Sequence, residues 1–301
     1  MRMDTVEQKK DDTAFQADAM EASMTDDDML EEYRRQRWED NAKWQLTTFA
    51  QSQLGSWEGE IELYELDGEG GMKRRVGPWA PQCSCETAPT EANTEVDMKD
   101  SLPGVASEYA VEQIFGPSTF RPELGSMAVA SSFSLAMSQE KGWLFEVCIG
   151  EEDRRVRCKL LYGVEEGGEA GEGGAPAMAL QGCAVVREAR GGKAFITDSE
   201  GADIDGSPGR GLYDPPKGDK REYCSLYCEG GITLVFPTRV DADAPGCMSL
   251  DWIAGRMRYQ IDRKFKKLDG SLASLELTEI QKSDAEVIAP DFPHQSGGES
   301  A

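Results

Sequence analysis

The sequence predicts an all-β fold of antiparallel strands, arranged as an up-and-down barrel or a sandwich, preceded by one helix and a disordered acidic tail. Three observations lead there. In Trp57-Glu58-Gly59-Glu60-Ile61-Glu62-Leu63, apolar or small residues alternate with glutamates, the period of a half-buried antiparallel strand. Further runs of strand length follow, separated by turn signals such as Asp269-Gly270. No long helical period recurs after residue 55, so the crossover helices of a parallel sheet are missing.

Residues 1–28 carry repeated acids, ending in Asp26, Asp27 and Asp28. They cannot bury enough apolar surface to offset ordering entropy, and a disordered tail is expected. An amphipathic helix is expected over residues 29–54. Thr25 with Asp28 resembles a capping box, Trp38, Ala42, Leu46 and Phe49 recur at helical spacing, and Gly55 stops the run. This stripe is expected to pack on the neighbouring sheet.

The barrel is expected over residues 55–282. After Trp57 its strand candidates are 128–137, 143–149, 154–162, 177–188, 223–228, 232–236, 249–254, 256–262 and 272–281. Long loops are expected at 71–104, which lacks a clear period, at 165–176 (EEGGEAGEGGAP) and at 191–220, with a polar tail over 283–301. The Gly/Glu insert reads as linker. It has no strand-to-helix context, and its glutamates would repel a phosphate.

Acidic residues outnumber basic ones 56 to 32, a formal net charge of −24, which argues against nucleic-acid partners and anionic membrane surfaces. The longest uncharged stretch, 124–139, is shorter than the roughly 20 residues of a membrane span. The start of the chain has neither the basic and apolar regions of a secretory signal nor the basic, Ser-rich character of a transit peptide. The eight cysteines therefore read as thiols of a reducing compartment.

Histidine occurs once, as His294 in the C-terminal tail. Mechanisms that need a structurally held imidazole, whether a Ser-His-Asp triad, a Cys-His pair or a His-rich metal centre, are thereby disfavoured. Cys83-Ser84-Cys85 and Cys224-x3-Cys228 lack the common two-residue spacing of zinc sites and read as free thiols. No catalytic residue, metal site or cofactor emerges, and binding is expected rather than hydrolytic catalysis.

Two strands carry alternating basic residues. Arg155, Arg157 and Lys159 share one face, opposite Val156, Cys158, Leu160 and Tyr162; Arg256 and Arg258 likewise oppose Met257, Tyr259 and Ile261. The favoured expectation puts the apolar faces inside and the basic faces in solvent, paired with the surplus acids. The alternative has the arginines lining a wet cavity and holding a ligand carboxylate. On that alternative Trp57, Arg155, Arg157, Arg256, Arg258 and Tyr259 are the candidate ligand-binding residues.

GSWEGEIELYEL at 55–66, RRVRCKLLYGV at 154–164, LQGCAVVREAR at 180–190 and RYQIDRKFKKLDGSLASLELTEI at 258–280 resemble an uncharacterised lipocalin-like family of cyanobacteria and plastid-bearing eukaryotes. The resemblance covers residues 44–281. It implies a calycin-type barrel with Gly55, Trp57 and Gly59 near its floor, in a superfamily that includes fatty-acid-binding proteins and bilin lyases. It also implies a chloroplast location, with the cytoplasm as the alternative. The Arg-x-Tyr that fatty-acid-binding barrels present on their last strand occurs here only at Arg221-Glu222-Tyr223, too early in the chain.

Three functions follow as expectations. The first is a non-catalytic carrier of a small apolar ligand such as a fatty acid, pigment or tetrapyrrole. The second is an interaction or assembly subunit of a larger complex, such as a photosynthetic one. The third is a bilin lyase-like protein that attaches a chromophore.

Overall fold

The computed structural model describes residues 25–66, 71–77, 82–92, 94–102, 107–120, 126–139, 142–164, 178–191, 223–240, 246–254, 257–265 and 272–281. The expected tails, apart from Thr25 and the three aspartates that follow it, lie outside the described residues. So do the Gly/Glu insert and nearly all of the loop expected at 191–220. The chain forms two compact units, one up to Trp44 and one from Gln45 onward.

In the first unit, helix α1 (Asp26–Gln53) begins. The main-chain N–H of Thr25 donates to Asp28 Oδ2 at 3.0 Å, and the N–H of Asp28 donates to Thr25 Oγ1 at 3.2 Å. This is the reciprocal cap expected from the sequence. The helix therefore starts at Asp26, and Asp26, Asp27 and Asp28 form its first turn, where the helix dipole favours negative charge. Trp38, expected to pack, is 45% exposed, and Met29, Leu30, Tyr33 and Trp44 are exposed too.

The second unit is antiparallel β structure. Its strands are β1 (Gly55–Leu66), β2 (Met72–Val76), β3 (Gln82–Pro89), β4 (Val96–Ser101), β5 (Glu112–Phe115), β6 (Met127–Val129), β7 (Ser132–Gln139) and β8 (Gly142–Glu151). The series continues with β9 (Arg154–Val164), β10 (Met178–Arg190), β11 (Tyr223–Cys228), β12 (Ile232–Pro237), β13 (Arg239–Val240), β14 (Gly246–Ala254), β15 (Met257–Phe265) and β16 (Leu272–Gln281). The all-β, barrel-like class with one N-terminal helix is as the alternation predicts. One expectation fails locally, because residues 71–104 hold three strands, β2 to β4, where a loop was expected.

The strands divide between two sheets. A curled, half-barrel sheet runs β5-β4-β3-β1-β10-β9-β8-β7-β6, with β2 also on β1 and β13 also on β10. A five-stranded sheet runs β11-β12-β14-β15-β16. The smaller sheet covers one face of β8, β9 and β10: Val156, Cys158, Leu160 and Tyr162 of β9 share a core with Leu234, Phe236, Leu250 and Trp252. Tyr162 donates its hydroxyl to Pro237 O at 2.7 Å, which satisfies that polar tip inside the layer.

The opposite, concave face has its own core. Phe49 of α1 packs against Phe115, Phe120 and Phe133 with ring centroids 5.2 to 5.4 Å apart, and Trp57, Ile61, Met98 and Val186 belong to the same cluster. Strand β9 is thus buried on both faces. The favoured expectation that Arg155, Arg157 and Lys159 face solvent is wrong, since all three are completely buried. The sequence reading assumed a sheet covered on one side, and this one is covered on both.

Candidate functional site

On the concave side, β9 aligns Arg155, Arg157 and Lys159, β10 supplies Glu188, β8 supplies Glu146 and β4 supplies Asp100. Arg157 donates from Nε and Nη2 to Glu188 at 2.8 and 2.7 Å, from Nη1 to Glu146 at 2.9 Å and from Nη2 to Asp100 at 2.8 Å. Arg155 donates to Glu188 at 2.6 Å and to the Gln53 side chain at 2.6 Å. Lys159 donates to Asp100 and, at 2.9 Å, to Tyr109 O. Every side chain in these ion pairs is fully buried.

Three cations face three carboxylates, so the cluster is balanced, as buried charge must be to offset desolvation. Burial by itself would raise the Asp100 and Glu188 carboxyls. Arg157 and Lys159 outweigh it at Asp100, Arg155 and Arg157 outweigh it at Glu188, and both groups sit below their ordinary values. An added anion would leave this interior with uncompensated negative charge. The anion that Arg155 and Arg157 hold is the protein's own.

Cys85, Asp100 and Glu188 bring one sulfur and two carboxylates within 4.8 Å of one another, a spacing that fits a metal ion. The occupancy of the oxygens argues otherwise. Both Asp100 oxygens accept from Arg157 or Lys159, with Oδ2 also accepting from Val111 N, and both Glu188 oxygens accept from arginines. The Arg157 guanidinium already stands where a cation would.

Trp57 lies beside this cluster, 1% exposed, with Arg155 at 4.1 Å and Arg190 at 4.2 Å from its ring centroid. Its indole N–H donates to Gln53 O at 2.9 Å. The indole therefore joins β1 to the last turn of α1, with guanidiniums over its π system.

A different buried cation sits between the sheets. Arg263 of β15 is completely buried. Its Nη1 donates to Ser134 Oγ and, at 3.0 Å, to Leu135 O of β7, and its guanidinium lies 4.9 Å from the centroid of Phe145. Nε and Nη2 have no hydrogen-bond partner, and no carboxylate among the described residues pairs with it. Burial pushes this guanidinium down to about 9, with only Tyr162 acting the other way. Ser132, two residues before Ser134 and on the same face of β7, is also buried with an unbonded hydroxyl. Around them Phe145 packs edge-on to Tyr162 at 5.6 Å and stacks with half-buried Trp143 at 6.1 Å.

The remaining candidates are dispersed. Arg258 is partly exposed and pairs with Asp251 at 2.6 Å. Tyr259 donates to Glu151 at 3.0 Å, and Arg256 lies outside the described residues. All eight cysteines are buried, and burial pushes the Cys83 thiol up to about 12, far from a reactive thiolate.

Sequence reading missed Arg263, although parity marks it: Tyr259, Ile261 and Arg263 recur at period two, so the inward series ends on a cation. It also missed Glu146, Glu188 and Asp100. The first two were detectable as lone acids inside the apolar runs WLFEVCI and CAVVREA.

No protein-family model matches the chain, nor does any curated protein sequence. Among solved structures it is similar to a protein of unknown function from the DUF3598 family of Nostoc punctiforme, with a TM-score of 0.53 and 17% sequence identity. The match covers 79% of this chain and 99% of that one. At that identity the likeness establishes shared fold alone: this chain has the barrel-like β architecture of the Nostoc protein.

Proposed function

We propose that the protein is a non-catalytic carrier or chaperone of a small, largely apolar molecule, such as a fatty acid, pigment or tetrapyrrole, held between its two sheets. The lipocalin-like assignment and the chloroplast location implied by the sequence resemblance belong to the same proposal. One observation carries it. Arg263 is a buried cation with two unused donors and no described acid beside it, whereas Arg155, Arg157 and Lys159 on the concave side are each paired with buried acids. Burying a charge without a partner is costly, and a bound ligand that completes it removes the cost. Catalysis is not favoured by the buried thiols or by carboxylates engaged with arginine.

A second reading, an assembly subunit, draws on the exposed Met29, Leu30, Tyr33, Trp38 and Trp44 of α1, the kind of aromatic-rich surface that interfaces use. Native mass spectrometry of protein isolated from its own source separates the two. A stoichiometric small adduct is expected. A reproducible protein partner with no adduct would replace the carrier reading by the assembly reading.

A further inference from the structure

We propose that the open edge of Arg263 is the head-group site for this ligand and that the head group is a monocarboxylate, an inference that rests on the carrier reading above.

The geometry of the guanidinium is specific. Nε and Nη2 form its lateral edge, where two N–H bonds point the same way at the spacing of two carboxylate oxygens, whereas Nη1 lies on the other side of the group. Here Nη1 is the anchored atom, held by Ser134 and Leu135 O, and Nε and Nη2 are the free ones. The anchor fixes the plane of the fork and leaves its bidentate edge unused. Such a fork matches a planar two-oxygen anion better than an alcohol, ester or amide, each of which offers one acceptor.

Charge selects further. No described acid stands beside this guanidinium, whereas Arg187, a second buried guanidinium on this face, pairs with Glu60 at 2.8 Å; one negative charge therefore neutralises Arg263, and a phosphate dianion would exceed it. Ser132 offers a hydroxyl donor on the same strand face as Ser134, a further contact for the head group. The rings nearest the guanidinium are Phe145 and, stacked on it, half-buried Trp143, apolar surface against which the body of such a ligand would lie.

The test is isothermal titration calorimetry of the full chain with dodecanoate and with dodecanol, repeated on Arg263→Met and Arg263→Lys. Dodecanoate is expected to bind the wild type more tightly than dodecanol. Arg263→Met should weaken dodecanoate roughly tenfold or more, the worth of charge-assisted hydrogen bonds, and leave dodecanol unchanged. Arg263→Lys keeps the charge without the fork and should fall between; it also carries the comparison alone should the Met variant not fold. Equal binding of acid and alcohol to the wild type, or dodecanoate binding untouched by both substitutions, overturns the carboxylate inference and leaves the carrier reading in place. Binding of neither probe to the wild type overturns the head-group inference as well, while the adduct sought by native mass spectrometry decides the carrier reading itself.

Discussion

On the concave side of the curled sheet, Arg157 meets Asp100, Glu146 and Glu188 at 2.7 to 2.9 Å. Between the sheets, Arg263 meets a serine hydroxyl, a main-chain carbonyl and an aromatic face. Both side chains are completely buried. The difference lies in what surrounds them. Arg157 is part of a charge-balanced structure that cross-links β4, β8, β9 and β10, in which Arg155 Nη2 and Glu146 Oε2 still lack a hydrogen bond. Arg263 has no acidic partner among the described residues, and the proposed head-group site rests on that difference.

The largest effect should come from cutting the charge-balanced cluster. Arg157→Met leaves three buried carboxylates short of a partner and should cost about 3–5 kcal/mol in urea unfolding, at the upper end because three acids are affected at once. A loss under about 1 kcal/mol would mean that the acids are already served by other groups. Trp57→Ala removes the indole that joins β1 to α1 and should cost about 3–5 kcal/mol. An unchanged urea midpoint would put that ring outside the core.

Acid should act on the same cluster. The folded-state values of Asp100 and Glu188 lie below their ordinary 3.8 and 4.5. Their stabilisation is therefore complete above those ordinary values and is lost as pH falls through the depressed ones. The wild-type thermal midpoint should drop on acidification below about pH 4, and the drop should be shallower in Arg157→Met. Parallel curves for the two proteins would detach acid sensitivity from this network. The smallest effect is expected at Arg258, whose side chain is 26% exposed. Arg258→Met should cost less than about 1 kcal/mol, as partly solvated ion pairs do.

Much of this was legible in residue order. The alternation around Trp57 located β1, Thr25 with Asp28 marked the helix start, and the parity of RRVRCKLLY separated the two faces of β9 correctly. Parity says which residues share a face and does not say what covers it. That is why Arg155, Arg157 and Lys159 were expected in solvent although a second core lies on their side. Strands β3 and β4 escaped notice because their inward residues, Cys83, Cys85 and Thr87 in one and Val96 and Met98 in the other, are small or interleaved with charge. The pairing of Arg157 with Asp100, 57 residues away in sequence, depends on β4 and β9 converging on one interior, which no local pattern encodes.

That Arg263 is buried with no compensating charge among the described residues is tested most directly by the urea unfolding midpoint of ligand-free Arg263→Met beside the wild type. Replacing an unpaired buried cation by an apolar side chain removes a desolvation cost of several kcal/mol and forfeits the hydrogen bonds to Ser134 and Leu135 O, so a net gain of about 1 kcal/mol or more is expected. The same change at Arg157 goes in the opposite direction. A loss of stability in Arg263→Met comparable to that in Arg157→Met would reveal a carboxylate of this chain already seated on the guanidinium, and would contradict the account.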